Sequence, residues 1–271
     1  MIGICTDSNS HLPSSLAERY QIEVVPATVT VDDHDYLEGV DLDADQFYAM
    51  IAGRPRPVVT TSHPSPGQFA AAYESLLHRG CDEILSVHVT AATSATLNSA
   101  RLATRSVHVP VRLVDSGTIG FGVSCCVWAA AQAVANGADL ETAAQVAEAL
   151  LPRIGAVLLL GQPDFIRTGV HSQPGGVPIM VIRGAEMEVL DRAQTIDDAV
   201  DKMAQATIAW GPRLNTAVGL GDRTGEALTD ALATSLATAP NVLEVVRYRI
   251  GPSIGAYIGA GTVACFAFPA D

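Results

Sequence analysis

The sequence predicts an α/β protein of two domains, with a doubly wound, parallel-type sheet in the N-terminal domain and a second α/β domain with a mixed sheet. Three observations carry that prediction. Short apolar runs at 2–5, 83–89 and 111–114 alternate with stretches of helical periodicity, the pattern of strand–helix–strand units. Each run ends in polar, hydroxyl-rich residues, the place where open α/β sheets bind ligands. The alternation resumes after residue 155, so the domains are placed at 1–155 and 156–271, the second closing a cleft against the first.

In chain order, the strand at 2–5 runs into Thr6-Asp7-Ser8-Asn9-Ser10, and a helix covers 13–20. Residues 22–31 alternate apolar and polar side chains and read as one strand. Asp43 caps a helix carrying Phe47, Met50 and Ile51. Pro55 and Pro57 mark a linker into Thr60-Thr61-Ser62-His63-Pro64-Ser65-Pro66-Gly67-Gln68-Phe69, read as a strand end, a tight turn and a helix start. Ser65 takes the N-cap, Pro66 the first helical position, and Gln68 completes a capping box. Phe69, Ala72, Tyr73, Leu76 and Leu77 form its buried face, and Gly80 stops it.

The strand at 83–89 opens a third hydroxyl loop, 90–96, before a helix carrying Leu97, Ala100 and Leu102. The strand at 111–114 ends in Asp115-Ser116, followed by a small-residue helix over 120–136; Asp139 caps another helix reaching 151. In the second half, a strand at 156–160 precedes a short helix from Pro163 to Gly169 and a loop at Gln173-Pro174-Gly175-Gly176. Residues 178–182 and 187–190 suggest a hairpin around Gly184. Thr195 and Asp198 cap a helix carrying Ile196, Val200, Met203 and Ile208. A strand at 216–220, a helix at 224–238, a strand at 242–250, a Gly-rich turn at 251–261 and a strand at 262–268 complete the chain.

Composition excludes some functions. With 16 basic against 29 acidic residues and a net charge of -13, nucleic-acid and anionic-membrane binding are disfavoured. No apolar run reaches the length of a membrane span, and the N-terminus opens as a strand, not a signal peptide. Five scattered cysteines with no C-x-x-C fit buried thiols in a reducing cytoplasm. Seven scattered histidines without H-E-x-x-H give no metal site.

Four hydroxyl-bearing loops, at 6–10, 60–65, 90–96 and 115–116, can line one crevice and receive an anion; Ser and Thr there also serve as plain caps. Gly251-Pro252-Ser253-Ile254-Gly255 matches G-x-S-x-G, but an esterase elbow needs a helix behind the Ser and a later His. Glycines and a strand are expected after Ser253, and no His follows His171. No P-loop is present, and Gly117-Thr118-Ile119-Gly120-Phe121-Gly122 does not fit G-x-G-x-x-G. Asp7 and Asp115 at strand ends could act as acid or base, or cap the adjacent turns.

Taken together, these segments resemble the DegV family of bacterial fatty-acid-binding proteins, as a divergent member. The resemblance rests on Ile4-Cys5-Thr6-Asp7-Ser8, Val25-Pro26 with Tyr36 and Asp41, and Thr61 through Phe69 with Tyr73. Ser94-Ala95-Thr96 with Ser99-Ala100, Val114-Asp115-Ser116, Gly120-Phe121-Gly122 and the 251–255 segment add to it. The resemblance implies an acyl chain in an apolar tunnel, its carboxylate held by Thr61 or Ser62, Ser94 and Tyr257, with Asp7, Ser8 and Ser116 supporting the ligand loops. The bound fatty acid is then the ligand, no cofactor is needed, and a separate ATP-dependent fatty acid kinase subunit is the implied partner. Tyr257 stands where the family usually has His, Gln194 where it often has Arg, and the segment after Gly169 is shortened. The last two changes remove kinase-facing features.

Three functions follow. The first is a carrier for a fatty acid or similar amphiphilic carboxylate, with no chemistry of its own. The second is an enzyme acting on a small anionic substrate in the interdomain cleft, which needs a wet site and a perturbed carboxylate at Asp7 or Asp115. The third is a regulatory module whose lipid site is vestigial.

Overall fold

Apolar segments pair as a parallel sheet where helices cover both of its faces, and the first half of the chain meets that condition. In the computed structural model, residues 1–53, 55–161, 175–183 and 186–270 are described. The chain divides into two compact units, Met1–Asp43 with Arg54–Leu151, and Ala44–Gly53 with Pro152–Asp271.

In the first unit Ile2–Asp7 (β1), Glu23–Val25 (β2), Glu83–His88 (β6) and Val111–Asp115 (β7) form a parallel sheet in the order β2-β1-β6-β7. β1 and β6 are buried along almost their whole length. Pro66–His78 (α3) and Thr96–Ala103 (α4) cover one face through Phe69, Tyr73, Leu76 and Ala100, which pack with Cys5 and Ile84. Phe121–Ala135 (α5), apolar on nearly every side, packs on β1 and β6 and against Leu140–Glu148 (α6). Helices of both groups thus sandwich the sheet, which is the doubly wound arrangement. The capping box forms as read from sequence: Gln68 N donates to Ser65 Oγ, and Ser65 N donates to Gln68 Oε1 at 2.9 Å.

The predicted strand at 22–31 breaks in two at Pro26, which has no N–H to continue a ladder. β2 stays in the parallel sheet. Thr28–Val31 (β3) joins His34–Leu37 (β4) and Val59–Ser62 (β5) in a separate antiparallel sheet, ordered β4-β3-β5. Sequence reading missed β4, because its two-residue turn is Asp32-Asp33, both at positive φ, in place of the usual Asn-Gly. The Thr60–Ser62 strand end therefore belongs to this small sheet, not to the parallel one.

The second unit carries a mixed six-stranded sheet. Gly155–Leu159 (β8), Val177–Arg183 (β9), Glu186–Ala193 (β10), Leu214–Leu220 (β11), Val242–Arg249 (β12) and Val263–Pro269 (β13) lie in the order β10-β9-β8-β13-β11-β12. Among the described residues, only the β11–β12 pair of this sheet is parallel. Ile196–Ile208 (α7) and Glu226–Ala237 (α8) cover one face, burying Met203, Leu228 and Leu232 on Val157, Ile179 and Cys265. Ala44–Ile51 (α2), though encoded between β4 and β5, groups with this unit, where Asp45 pairs with Arg223 and Arg249.

The expected Gly-rich turn at 251–261 is instead a helix over Pro252–Ile258 (α9). Pro252 at its first position starts it, and Gly255 leaves room for the Tyr48 ring. The short helix expected at 163–169, Gln173-Pro174 of the following loop and the hairpin turn at Gly184 lie outside the described residues.

At Gly155 a Cβ would run into the indole of Trp210, so the ring sits directly on the backbone of β8. Gly155→Ala should therefore cost about 1–3 kcal/mol, the usual scale of overpacking, measured as a drop in the denaturant midpoint at unchanged m-value.

Candidate functional site

At the carboxyl edge of the parallel sheet, three loops are joined by side-chain and backbone hydrogen bonds. β1 ends at Asp7, which accepts from Asn9 N at 3.2 Å through Oδ1. Its Oδ2 accepts from Val89 N at 3.2 Å and from His88 Nδ1 at 2.9 Å, across to the end of β6. Asn9 Oδ1 in turn accepts from Gly120 N at 3.1 Å, beside β7's loop. Gly120 holds φ 57 and ψ −142, a conformation open to glycine and little else. The 115–120 loop is tied back to β6: Ser116 N donates to His88 O, Thr90 N to Thr118 O, and Ala91 N to Asp115 Oδ2.

Behind Asp7 runs a second, fully buried chain of bonds. His88 Nε2 lies 2.6 Å from Ser86 Oγ, which lies 2.9 Å from the Tyr73 hydroxyl of α3. The Asp7 acceptor makes His88 Nδ1 a donor; in the neutral ring Nε2 then accepts from Ser86, which leaves Ser86 Oγ to accept from Tyr73. Phe69 stands edge-on to the imidazole, with ring centres 5.0 Å apart. Asp7, Ser86 and His88 occur in the order of a hydrolase triad, but Asp7 is 1% exposed and the other two 0%, so Ser86 is sealed from any substrate.

The site residues expected from sequence fall in different places. Ser94 sits half-buried just before α4, its Oγ 2.8 Å from Thr96 Oγ1 and accepting from Thr96 N. Ser94 N and Thr93 N both bond to Thr90 O, which shapes the turn. Ser8 is a strut: its hydroxyl donates to the buried Glu38 carboxylate at 2.5 Å and accepts from Ala27 N at 2.9 Å. Through Ala27 it ties the β1 loop to β3, whose partner strand holds Thr61 and Ser62. Those two residues face opposite sides of β5. Thr61 sits opposite Val29, which is fully buried, whereas Ser62 is exposed. Ser116 is buried and bonds within its own turn. Tyr257, on α9 of the second unit, is 74% exposed. Gln194 is exposed just ahead of α7, with its N donating to Asp198.

Three of the four hydroxyl loops are thus bonded to one another, and the fourth follows a strand of the smaller sheet. Sequence reading missed Glu38, Ser86 and His88, and gave Asn9 and Tyr73 no bonding role in the site. The one available signal was the alternation of Ser86 and His88 within an apolar strand. Among the described residues, no group of three His, Cys, Asp or Glu side chains could hold a metal ion, and no helix is long and apolar enough to cross a membrane.

A doubly wound unit with a hydroxyl-lined loop edge, joined in sequence to a mixed-sheet unit, defines the class of protein. The chain belongs to the DegV family. The family model, described as an uncharacterised protein of the DegV family, matches residues 1–170. A DegV domain-containing protein of Streptomyces coelicolor is 31% identical over 274 residues, covering 96% of this chain and 95% of that one. One of Deinococcus radiodurans is 28% identical, covering 97% and 96%. Among solved structures, a DegV family protein of Thermus thermophilus described by its fatty acid binding superposes with a TM-score of 0.80 at 24% identity, over 99% of both chains. DegV of Bacillus subtilis, described as a fatty acid binding protein, gives 0.78 at 23% identity over 98% and 99%. These two share the fold.

Asp7 has donors on both oxygens, so Asp7→Asn sets an amide N–H against either Asn9 N–H or Val89 N–H, whichever way it is turned. The variant should lose about 1–3 kcal/mol, read by denaturant titration. A second expectation concerns His11, buried and at φ 53, whose ring lies 3.9 Å from Glu38. Burial lowers its pKa to about 4, against the pull of the Asp7 carboxylate. Between pH 6.5 and 4 the unfolded chain therefore binds a proton that the folded chain does not. Stability from this group falls as the pH drops through that window, by up to about 3 kcal/mol. His11→Asn, which suits positive φ, should flatten the slope of unfolding free energy against pH there.

Proposed function

We propose that the chain is a carrier for a fatty acid or similar amphiphilic carboxylate. The carboxylate is accepted at the loop edge by the Ser94 hydroxyl and by Thr61, and the acyl tail lies in an apolar tunnel. The observation that carries this reading is the hydroxyl pair of half-buried Ser94 and buried Thr96, presented on a turn that three bonded loops hold in place. Relatives of the same fold, described as fatty acid binding, support it. A buried carboxylate is stabilised by several hydrogen-bond donors, and each buried CH₂ of the tail contributes about 0.8 kcal/mol. Thr61 is favoured over Ser62 because it lies on the Val29 side of β5.

The enzyme alternative weakens at Asp7, whose carboxylate is spent on His88, Val89 and Asn9 and is sealed from solvent. Presentation to a fatty acid kinase subunit is weakened in turn by Gln194 and the shortened segment after Gly169. A reducing cytoplasmic setting fits the five free, buried cysteines; burial pushes the Cys126 and Cys265 thiols up to about 12, far from reactive thiolates.

Organic-solvent extracts of the purified protein, read by mass spectrometry, test the carrier. A near-stoichiometric acyl chain is expected from the wild type and from Ser62→Ala, and a strongly reduced yield from Ser94→Ala and Thr61→Ala. An empty wild type that also refuses added fatty acid would overturn the reading.

A further inference from the structure

We propose that His88 is a positioning residue for the Ser94 turn, and that it acts through its Nδ1–H bond to Asp7 rather than through Nε2. The importance given to the turn rests on the carrier reading above.

The two ring nitrogens serve different parts of the unit. Nδ1 reaches Asp7 Oδ2, and the same oxygen accepts from Val89 N, the last backbone group before the turn. The next residue, Thr90, then holds the turn closed: its carbonyl accepts from Thr93 N and Ser94 N, and its N–H is anchored on Thr118 O. The connection from the imidazole to Ser94 thus passes through Asp7, Val89 and Thr90, each link a bond of 3.3 Å or less. Nε2 instead faces inward to Ser86 and, beyond it, to Tyr73 on α3. The ring cannot easily swing between the two roles, because Phe69 stands against it and His88 is fully buried. When Nδ1–H is absent, Asp7 Oδ2 loses its side-chain donor and keeps only Val89 N, so the carboxylate, still held by Asn9 N at Oδ1, can pivot about that bond and draw the turn's first residue with it.

Side-chain geometry separates the two nitrogens experimentally. Asn at position 88 places an amide N–H near the position of Nδ1, whereas Gln extends to the position of Nε2. Ser86→Ala removes the Nε2 partner and leaves Nδ1 untouched. All three variants disturb the core, so a purely packing role would weaken them together.

The experiment is calorimetric titration of oleic acid into delipidated protein, paired with amide hydrogen exchange of Val89 and Ser94. His88→Asn and Ser86→Ala should bind within about three-fold of the wild type, while His88→Gln weakens by about ten-fold or more, the scale of one charge-assisted hydrogen bond. Exchange at Val89 and Ser94 should quicken in His88→Gln alone. Equal weakening in His88→Asn and His88→Gln, wild-type binding in His88→Gln, or a ten-fold loss in Ser86→Ala would each overturn the proposal. If the wild type takes up no oleic acid, the carrier reading fails; the exchange data still decide the positioning role, and equal exchange in the two His88 variants overturns it.

Discussion

A carboxylate with almost no contact with water must be met by donors on every side, and in the first unit that carboxylate is Asp7. Burying an unpaired charge costs several kcal/mol, so its surroundings have little freedom. Its donors come from Asn9 in its own loop and from His88 and Val89 at the end of β6. Asn9 and His88 each carry the constraint onward to the 115–120 loop, one through its side chain and the other through its carbonyl. The loop edge is therefore ordered from beneath by one charge, and the hydroxyls above it need not hold themselves in place. This division suits a binding surface, because a hydroxyl spent on the scaffold has less to offer a ligand. Ser8 shows the cost of the opposite choice, since its hydroxyl already serves both Glu38 and Ala27.

The second unit holds a carboxylate by the reverse strategy. Asp45 of α2 meets two guanidinium groups, with Arg249 and Arg223 keeping its carboxyl below the usual carboxylate range. Its side chain is 31% exposed and that of Arg223 70%, so water and salt screen the pair. What fixes α2 to its unit is more the burial of Phe47 and Tyr48, with Gly255 giving the Tyr48 ring its space. Arg249 gains more from its geometry, as its guanidinium also donates to the carbonyls of Leu220 and Gly221 at the end of β11.

How far the sequence foretold this depends on how local each feature is. The Ser65–Gln68 capping box, the face from Phe69 to Leu76 and the strands at β1, β6 and β7 follow from residues a few positions apart, and they appear as read. The break at Pro26 was legible in principle, but alternation on both sides of it masked the change of sheet. The α9 helix was hidden because glycine has poor helix propensity, and only packing against Phe47 and Tyr48, some two hundred residues earlier, makes Gly255 useful there. The chain from Asp7 through His88 and Ser86 to Tyr73 was the least legible. Its members stand up to 81 positions apart, and His88 reads in sequence as an ordinary polar interruption.

That buried chain also shows why residue types in the right order do not make an active site. Asp7, His88 and Ser86 have the bond order of a hydrolase triad, yet each bond is used up: Tyr73 is bonded to Ser86, Ser86 to His88, and His88 to Asp7. A nucleophile needs an open face and donors for the developing oxyanion, and Ser86 lies under α3 with neither. The same sealing that removes catalysis supplies rigidity, since a hydrogen-bond chain in a dry core has no water to exchange with. The hydroxyl at Ser94 has the complementary properties. It is partly open to solvent, it is bonded to Thr96, and among the described residues it is bonded to no base. A serine so placed can donate to a carboxylate and release it unchanged, which is what a carrier requires and an acyl-transfer enzyme does not.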